Sequence, residues 1–145
     1  MRPAPQVIAE VAAELALELL GRGEAVRVRA RGASMRPFVL DGDVLLLRAG
    51  PPRIGDVVLL RQGDFGLLHR VVARDRAGRL CIAGDALPGV DGWFDPAHIA
   101  AVALQIERRG QVRPARSLAA VVVGRLTAPL RYFAARGVRG NVQTW

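Results

Sequence analysis

The sequence predicts a mainly β protein of the α+β class, in which an antiparallel β core lies between two amphipathic helices. The middle of the chain consists of short apolar runs separated by Gly, Pro and Asp residues, with no helical pattern between them. Both ends instead carry apolar residues at helical spacing. The 145 residues fit one domain over 1–145, with an N-terminal helix over 1–23, a β core over 24–113 and a basic helix and tail over 114–145.

Each helix is predicted from an apolar face. In the N-terminal segment, Glu10, Glu14 and Glu18 recur every four residues opposite the apolar positions. Three glutamates argue against a secretory leader. In the C-terminal segment, the apolar run 118–123 continues into an arginine-containing stretch, and Pro129 predicts a bend there.

The strands of the core are predicted from alternating or continuous apolar runs bounded by turn residues. Residues 62–65 are predicted to form a hairpin-like connection, and the Gly-rich, polar segment 84–96 is predicted as a loop. The predicted strands cover 25–31, 44–48, 56–61, 66–74, 79–83, 98–108 and 111–113.

Composition excludes several classes of function. All 21 basic residues are arginine, which excludes a lysine general base, a Schiff base and a Walker-type phosphate lysine. One cysteine rules out an internal disulfide, and two histidines add too little for a structural zinc site. The net charge is +8, but the arginines are scattered and no aromatic-interleaved motif accompanies them, so no nucleic-acid partner is expected.

Membrane insertion is not expected either. No stretch reaches the roughly 20 apolar residues of a spanning helix. A cytoplasmic location is therefore expected, and the basic C-terminal helix leaves contact with a membrane surface as an alternative.

Nucleophilic catalysis has few candidates. Ser34 follows a predicted strand and lies in a Gly/Ala turn. A serine needs a base to act at neutral pH, and without lysine that base must be a histidine or a carboxylate. His69 lies on an apolar strand, and loop 84–91 supplies Asp85 and Asp91, either of which could orient it. Many proteins contain such residues, so the residue types alone do not establish catalysis.

Five short blocks of sequence add a family resemblance. Over about 26–109 they occur in the same order as in type I signal peptidases and the self-cleaving SOS-repressor peptidases, which the chain resembles. The blocks are Gly32-x-Ser34-Met35-x-Pro37, Asp41-Gly42-Asp43-Val44-Leu45, Ile54-Gly55-Asp56-Val57-Val58, His69-Arg70-Val71-Val72, and Gly84-Asp85 with Asp91.

The resemblance implies a fold of coiled antiparallel sheets and a set of catalytic roles. A histidine at the place of the bacterial lysine is similar to the endoplasmic-reticulum and archaeal subtype. The resemblance then makes Ser34 the nucleophile, His69 the general base and acid, and Asp91 the residue that orients His69. Asp85 would support the loop or the site.

Further roles concern the substrate. Position 32 is glycine, as in the repressor group, which implies that the backbone N–H of Ser34 binds the oxyanion. Met35 and Trp93 are candidates to line the substrate cleft. The expected substrate is a peptide or protein bound as an extended strand against a sheet edge, with no metal or cofactor. The alternative is a non-catalytic peptide- or protein-binding module on the same fold, which could be peripheral to a membrane.

Overall fold

A computed structural model describes residues 6–7, 13–62, 65–87 and 89–123. Over these residues the protein is mainly β, as the sequence predicts, with helix α1 at Ala13–Gly21, a 3-10 turn at Pro96–His98 and a helical segment at 118–123. The nine described strands are β1 (Gln6–Val7), β2 (Val26–Arg29), β3 (Val44–Arg48), β4 (Val57–Gln62), β5 (Phe65–Arg74), β6 (Leu80–Ala83), β7 (Gly92–Phe94), β8 (Ile99–Arg108) and β9 (Gln111–Pro114).

The strands form one hydrogen-bonded sheet. Their order is β1-β2-β3-β8-β4-β5-β6-β7, and β9 pairs with β8 outside this path. The β1–β2 pair is parallel, and every other pair among the described strands is antiparallel. This order places β5 and β6 side by side near one end of the sheet.

Strand β4 is buried on both faces and separates two apolar clusters. Val57 and Leu59 pack into one cluster with Leu20 of α1, whereas Val58 and Leu60 pack into the other. A continuous apolar run is typical of a strand covered on both sides, and each such side chain contributes about 1.5–3 kcal/mol when fully buried. The strand that carries His69, β5, therefore pairs with one of the most buried strands.

Helix α1 confirms the amphipathic pattern over part of the predicted helix. Ala16 and Leu20 are buried, and Glu14 and Glu18 are exposed. The prediction of a helix over all of 1–23 is wrong at Gln6–Val7, which pairs with Arg27 and Val28 as β1. Backbone pairing with the edge of β2 favours an extended conformation at these two residues, while residues 8–12 lie outside the described residues.

The loop prediction for 84–96 is wrong at β7. Gly92–Phe94 pairs with Leu80–Ile82 of β6, although only three residues take part. The strand predicted at 98–108 begins one residue later, because His98 ends the 3-10 turn that Asp95 caps. Such short elements depend on a partner strand that the local sequence does not reveal.

The C-terminal segment begins as the sequence predicts. Residues 118–123 are helical, and the Ser117 hydroxyl accepts a hydrogen bond from the Ala120 N–H, as a helix cap does. The predicted bend at Pro129, the rest of the basic helix and the hairpin tip at 63–64 lie outside the described residues. No helix among the described residues is long and apolar enough to cross a membrane.

Candidate active site

The site is built around His69, which β5 places opposite Val58 of β4. The residue is only 2% exposed, and a buried imidazole needs hydrogen-bond partners. It has two: Nδ1 lies 2.5 Å from Asp91 Oδ2, and Nε2 lies 3.1 Å from Ser34 Oγ. A carboxylate on Nδ1 places the proton of the neutral ring there, which leaves Nε2 free to accept the Ser34 hydroxyl proton.

The loop between β2 and β3 carries Ser34. Gly32 adopts a φ of +89°, a conformation that favours glycine, and its N–H donates to Asp41 Oδ1 at 2.9 Å. After Ser34 the chain turns tightly, and the Met35 carbonyl accepts from the N–H of Val39 at 2.9 Å. The loop thus turns back on itself on both sides of Ser34.

The backbone N–H of Ser34 is available as a hydrogen-bond donor. No acceptor among the described residues takes its N–H, while its carbonyl oxygen accepts from the Ala86 N–H at 2.9 Å. The residue is partly exposed. An unused N–H on a serine that is hydrogen-bonded to a histidine is the type of donor that can stabilise an oxyanion in acyl transfer.

Loop 84–91 brings Asp91 to the other side of His69. Its N–H donates to the Ile82 carbonyl at 2.7 Å, which anchors Asp91 beside β6. Gly84 lies directly against the site: an added Cβ atom would be 2.8 Å from the Ser34 carbonyl oxygen and 3.0 Å from His69 Nε2. The close approach of this loop to Ser34 and His69 therefore requires glycine at position 84.

The second acidic residue of the loop has a different partner. Arg70 Nε donates to Asp85 Oδ1 at 2.9 Å and Arg70 Nη2 to Asp85 Oδ2 at 2.8 Å, a bidentate pair. Asp91 is thus the aspartate on His69, and Asp85 is the aspartate on Arg70. The side chains of Arg70 and Asp85 are only 1% and 5% exposed.

The two cleft candidates have different positions. Met35 packs in the first apolar cluster and its Sδ accepts from the Asp85 N–H at 3.4 Å. Met35 therefore supports the two loops from the side of the core. The expectation that it lines an open substrate cleft is wrong, because its side chain is buried. Trp93 is 45% exposed on β7, two residues after Asp91.

Cys81 is not a competing nucleophile. It is buried on β6, and burial, followed by the negative charge of Asp91, raises the pKa of its thiol. A raised pKa keeps the thiol protonated and poorly nucleophilic. Ser34 is thus the side chain beside His69 that can act as nucleophile.

Two site features were not predicted from the sequence. Arg70 belongs to a motif, but local sequence does not show that its side chain is buried and paired with a carboxylate. The motif that contains Gly84 likewise does not show how closely this residue approaches Ser34. A cleft of about 500 Å³ lies away from Ser34 and His69 and is lined by charged side chains such as Arg29 and Arg109.

In the described part of the chain, no group of three or more His, Cys, Asp or Glu residues could hold a metal ion. No family model matches the chain, and searches of curated proteins and of solved structures found no significant match. Functional inference therefore depends on the geometry around His69.

Proposed function

We propose that the protein is a serine endopeptidase of the signal-peptidase-like superfamily, with Ser34 as nucleophile, His69 as general base and acid, and Asp91 as the orienting carboxylate. The observation that carries this proposal is the hydrogen-bonded chain from Ser34 Oγ through both ring nitrogens of His69 to Asp91 Oδ2. Side chains that are 35 and 22 positions apart in sequence meet in the order that acyl transfer requires.

The chemistry follows from the atoms that meet. His69 Nε2 accepts the Ser34 hydroxyl proton as Oγ attacks the peptide carbonyl, and Asp91 stabilises the imidazolium. The Ser34 N–H donates to the oxyanion. His69 then protonates the leaving amine, and the same ring activates the water that hydrolyses the acyl-enzyme.

An extended peptide or protein segment is the proposed substrate. Trp93 lies on β7, which ends the strand order and has no second neighbour among the described strands. A substrate strand added to a sheet edge gains backbone hydrogen bonds and presents alternate side chains to the enzyme. We place this activity in the cytoplasm, with membrane-surface contact as its alternative setting, and it needs no cofactor.

The test combines substrate discovery with labelling of the nucleophile. The purified protein is incubated with a peptide library, and the products are read by mass spectrometry; in parallel a fluorophosphonate probe is added and the modified residue is mapped. We expect cleavage and labelling at Ser34. Ser34→Ala should lower kcat by on the order of 10⁶-fold, as for serine nucleophiles in general, with little change in melting temperature.

Ser117→Ala is the matched control, because Ser117 is the other serine of the chain and its hydroxyl caps a helix. It should retain cleavage while losing about 1 kcal/mol of stability. Peptide binding without cleavage, equal in wild type and Ser34→Ala, would instead identify a non-catalytic binding module.

A further inference from the structure

Arg70 follows His69 on β5 and is the largest fully buried side chain among the described residues. Each of its guanidinium nitrogens donates a hydrogen bond. Nε and Nη2 bind the Asp85 carboxylate, and Nη1 donates to the Gly55 carbonyl at 2.8 Å and the Ala115 carbonyl at 3.3 Å. The planar fork of arginine suits such simultaneous bonding.

Four segments of the chain meet at this guanidinium. Gly55 precedes β4, Ala115 follows β9, and Asp85 belongs to the loop that carries Asp91. The ring of Phe38, from the Ser34 loop, lies 5.5 Å from the guanidinium carbon. One side chain therefore contacts both loops that deliver catalytic groups to His69.

The contacts of loop 84–91 show what the Arg70–Asp85 pair holds in place. Gly84, immediately before Asp85, packs against Ser34 and His69. Ala86, immediately after it, donates its N–H to the Ser34 carbonyl. A displacement of Asp85 would therefore move both neighbours away from the site, and Asp91 lies on the same loop.

Stability alone does not account for this pair. Replacing a buried ion pair by apolar side chains of similar volume is often neutral or stabilising, whereas removing one partner leaves a costly buried charge. The pair does supply directional bonds that define the position of Asp85, which apolar packing would not.

We propose that Arg70 is a positioning residue, which holds loop 84–91 through Asp85 so that Asp91 stays on His69 Nδ1 and Gly84 stays against Ser34. This inference rests on the proposed function of the Ser34–His69–Asp91 chain. Arg70 itself lies outside the reaction, because its donors are occupied by Asp85 and backbone carbonyls.

The test separates position from stability with three variants. Arg70→Met leaves Asp85 without its cation and should lower the melting temperature. The double variant Arg70→Met with Asp85→Leu removes both charges and should recover most of that loss. Because a misplacement of about 1 Å can cost about 10²-fold in rate, we expect kcat of the double variant to stay about 10²-fold low with KM nearly unchanged.

Arg70→Lys keeps the positive charge but loses the bidentate fork. We expect it to fold and to recover only part of kcat. Arg27→Met, which breaks the half-buried Arg27–Glu107 pair at 2.9 Å, is the control and should leave kcat unchanged. Full recovery of both kcat and melting temperature in the double variant would overturn the proposal, as would an Arg70→Lys variant with wild-type kcat.

A second readout does not need peptidase activity. The proton shared by His69 Nδ1 and Asp91 should give a far-downfield resonance in the proton NMR spectrum of the wild-type protein, and the double variant and Arg70→Lys should shift or broaden it. A protein that cleaves nothing but shows these changes refutes the peptidase proposal and supports the positioning role. An unchanged resonance in both variants, whether or not the protein cleaves peptides, overturns the positioning role.

Discussion

His69 and Arg70 are adjacent in sequence, yet they belong to two polar systems of different kinds. The Arg70 system is closed, in the sense that each guanidinium nitrogen donates to a protein oxygen: one carboxylate and two carbonyl groups accept these bonds. The Arg70 side chain is only 1% exposed. The His69 system is open at one end. It finishes at Ser34, which is partly exposed and whose N–H has no acceptor among the described residues.

Under the proposed function, this difference separates the groups that take part in the reaction from the groups that hold the loops in position. Buried polar atoms are expected to be paired, and no buried side-chain nitrogen or oxygen in the described part of the chain lacks a partner. The Ser34 hydroxyl is hydrogen-bonded to His69, and Ser34 is partly exposed, so a substrate can reach it. Removal of a group from the open system should therefore affect rate, and removal from the closed system should affect stability first.

The strongest test of this difference is to replace one aspartate in each system, Asp91 beside His69 and Asp85 beside Arg70. Asp91→Asn lets the amide donate to His69 and removes control of its tautomer, so kcat should fall by about 10⁴-fold. The melting temperature should change little, because the Asp91 side chain is 19% exposed and the two side chains are nearly isosteric. Activity assays and thermal unfolding of the same preparations measure both quantities.

Asp85→Asn is the matched variant in the closed system. It leaves Arg70 with an uncompensated buried charge, which typically costs about 3–5 kcal/mol, and its effect on kcat should be smaller than that of Asp91→Asn. If Asp85→Asn abolishes cleavage in a folded protein while Asp91→Asn does not, the roles of the two aspartates are reversed.

Adding one methyl group at position 84 tests how closely loop 84–91 must approach Ser34 and His69. In Gly84→Ala the new Cβ atom would lie 2.8 Å from the Ser34 carbonyl oxygen, so the loop or Ser34 must shift. We expect kcat to fall about 10²-fold. Gly89→Ala changes the same loop at a position where a Cβ atom meets no described atom within 4 Å, and it should retain wild-type kcat.

The methyl-group comparison has a clear contrary result. Equal kcat for wild type and Gly84→Ala, in a protein whose His69–Asp91 resonance is unchanged, would mean that the close approach of Gly84 has no part in arranging the site. A large loss in Gly89→Ala would mean that the flexibility of the loop, and not its contact with Ser34, limits the rate.

The sequence predicts the regular part of this fold well. Strands such as β3 and β6 contain enough apolar residues between turn signals to be located from local pattern. Strands β1 and β7 do not, because two or three residues form a strand only where a partner edge is available. Pairing between distant segments is not encoded in local periodicity.

The same limit applies to the site. The family resemblance of the motifs predicts Ser34, His69 and Asp91 as site residues, and the structure brings these three side chains together. The Arg70–Asp85 pair was not predicted, because an arginine on a strand is normally exposed and only the packed sheet shows that this one is buried. Met35 was misplaced for the same reason, since its depth depends on how the Ser34 loop folds over the core.

A smaller effect is expected at a third polar system, which joins the end of the Ser34 loop to β8. Arg108 donates to both oxygens of Asp43, at 2.8 and 2.6 Å, and the Leu40 N–H donates to Asp43 Oδ2. The hydrogen bonds from Arg108, opposed in part by burial, hold the pKa of the Asp43 carboxyl below its ordinary value of 3.8. Arg108 is 34% exposed, so this system is closed but less buried than that of Arg70.

Asp43→Asn should therefore lower stability by about 2 kcal/mol at pH 7, the usual value of hydrogen bonds to a charged group, without abolishing cleavage. A carboxyl whose pKa is lowered by folding contributes stability above pH 3.8, and this contribution is lost as the pH falls through the lower, folded-state value. The difference in melting temperature between wild type and Asp43→Asn should thus have its full size at pH 7 and pH 5 and become smaller at pH 3.

Asp75→Asn is the control, because it breaks the exposed Asp75–Arg79 pair of a turn. Its melting temperature should differ little from that of the wild type. A difference that stays constant down to pH 3 would show that the Asp43 charge does not supply the stability, and that the shape of the turn does.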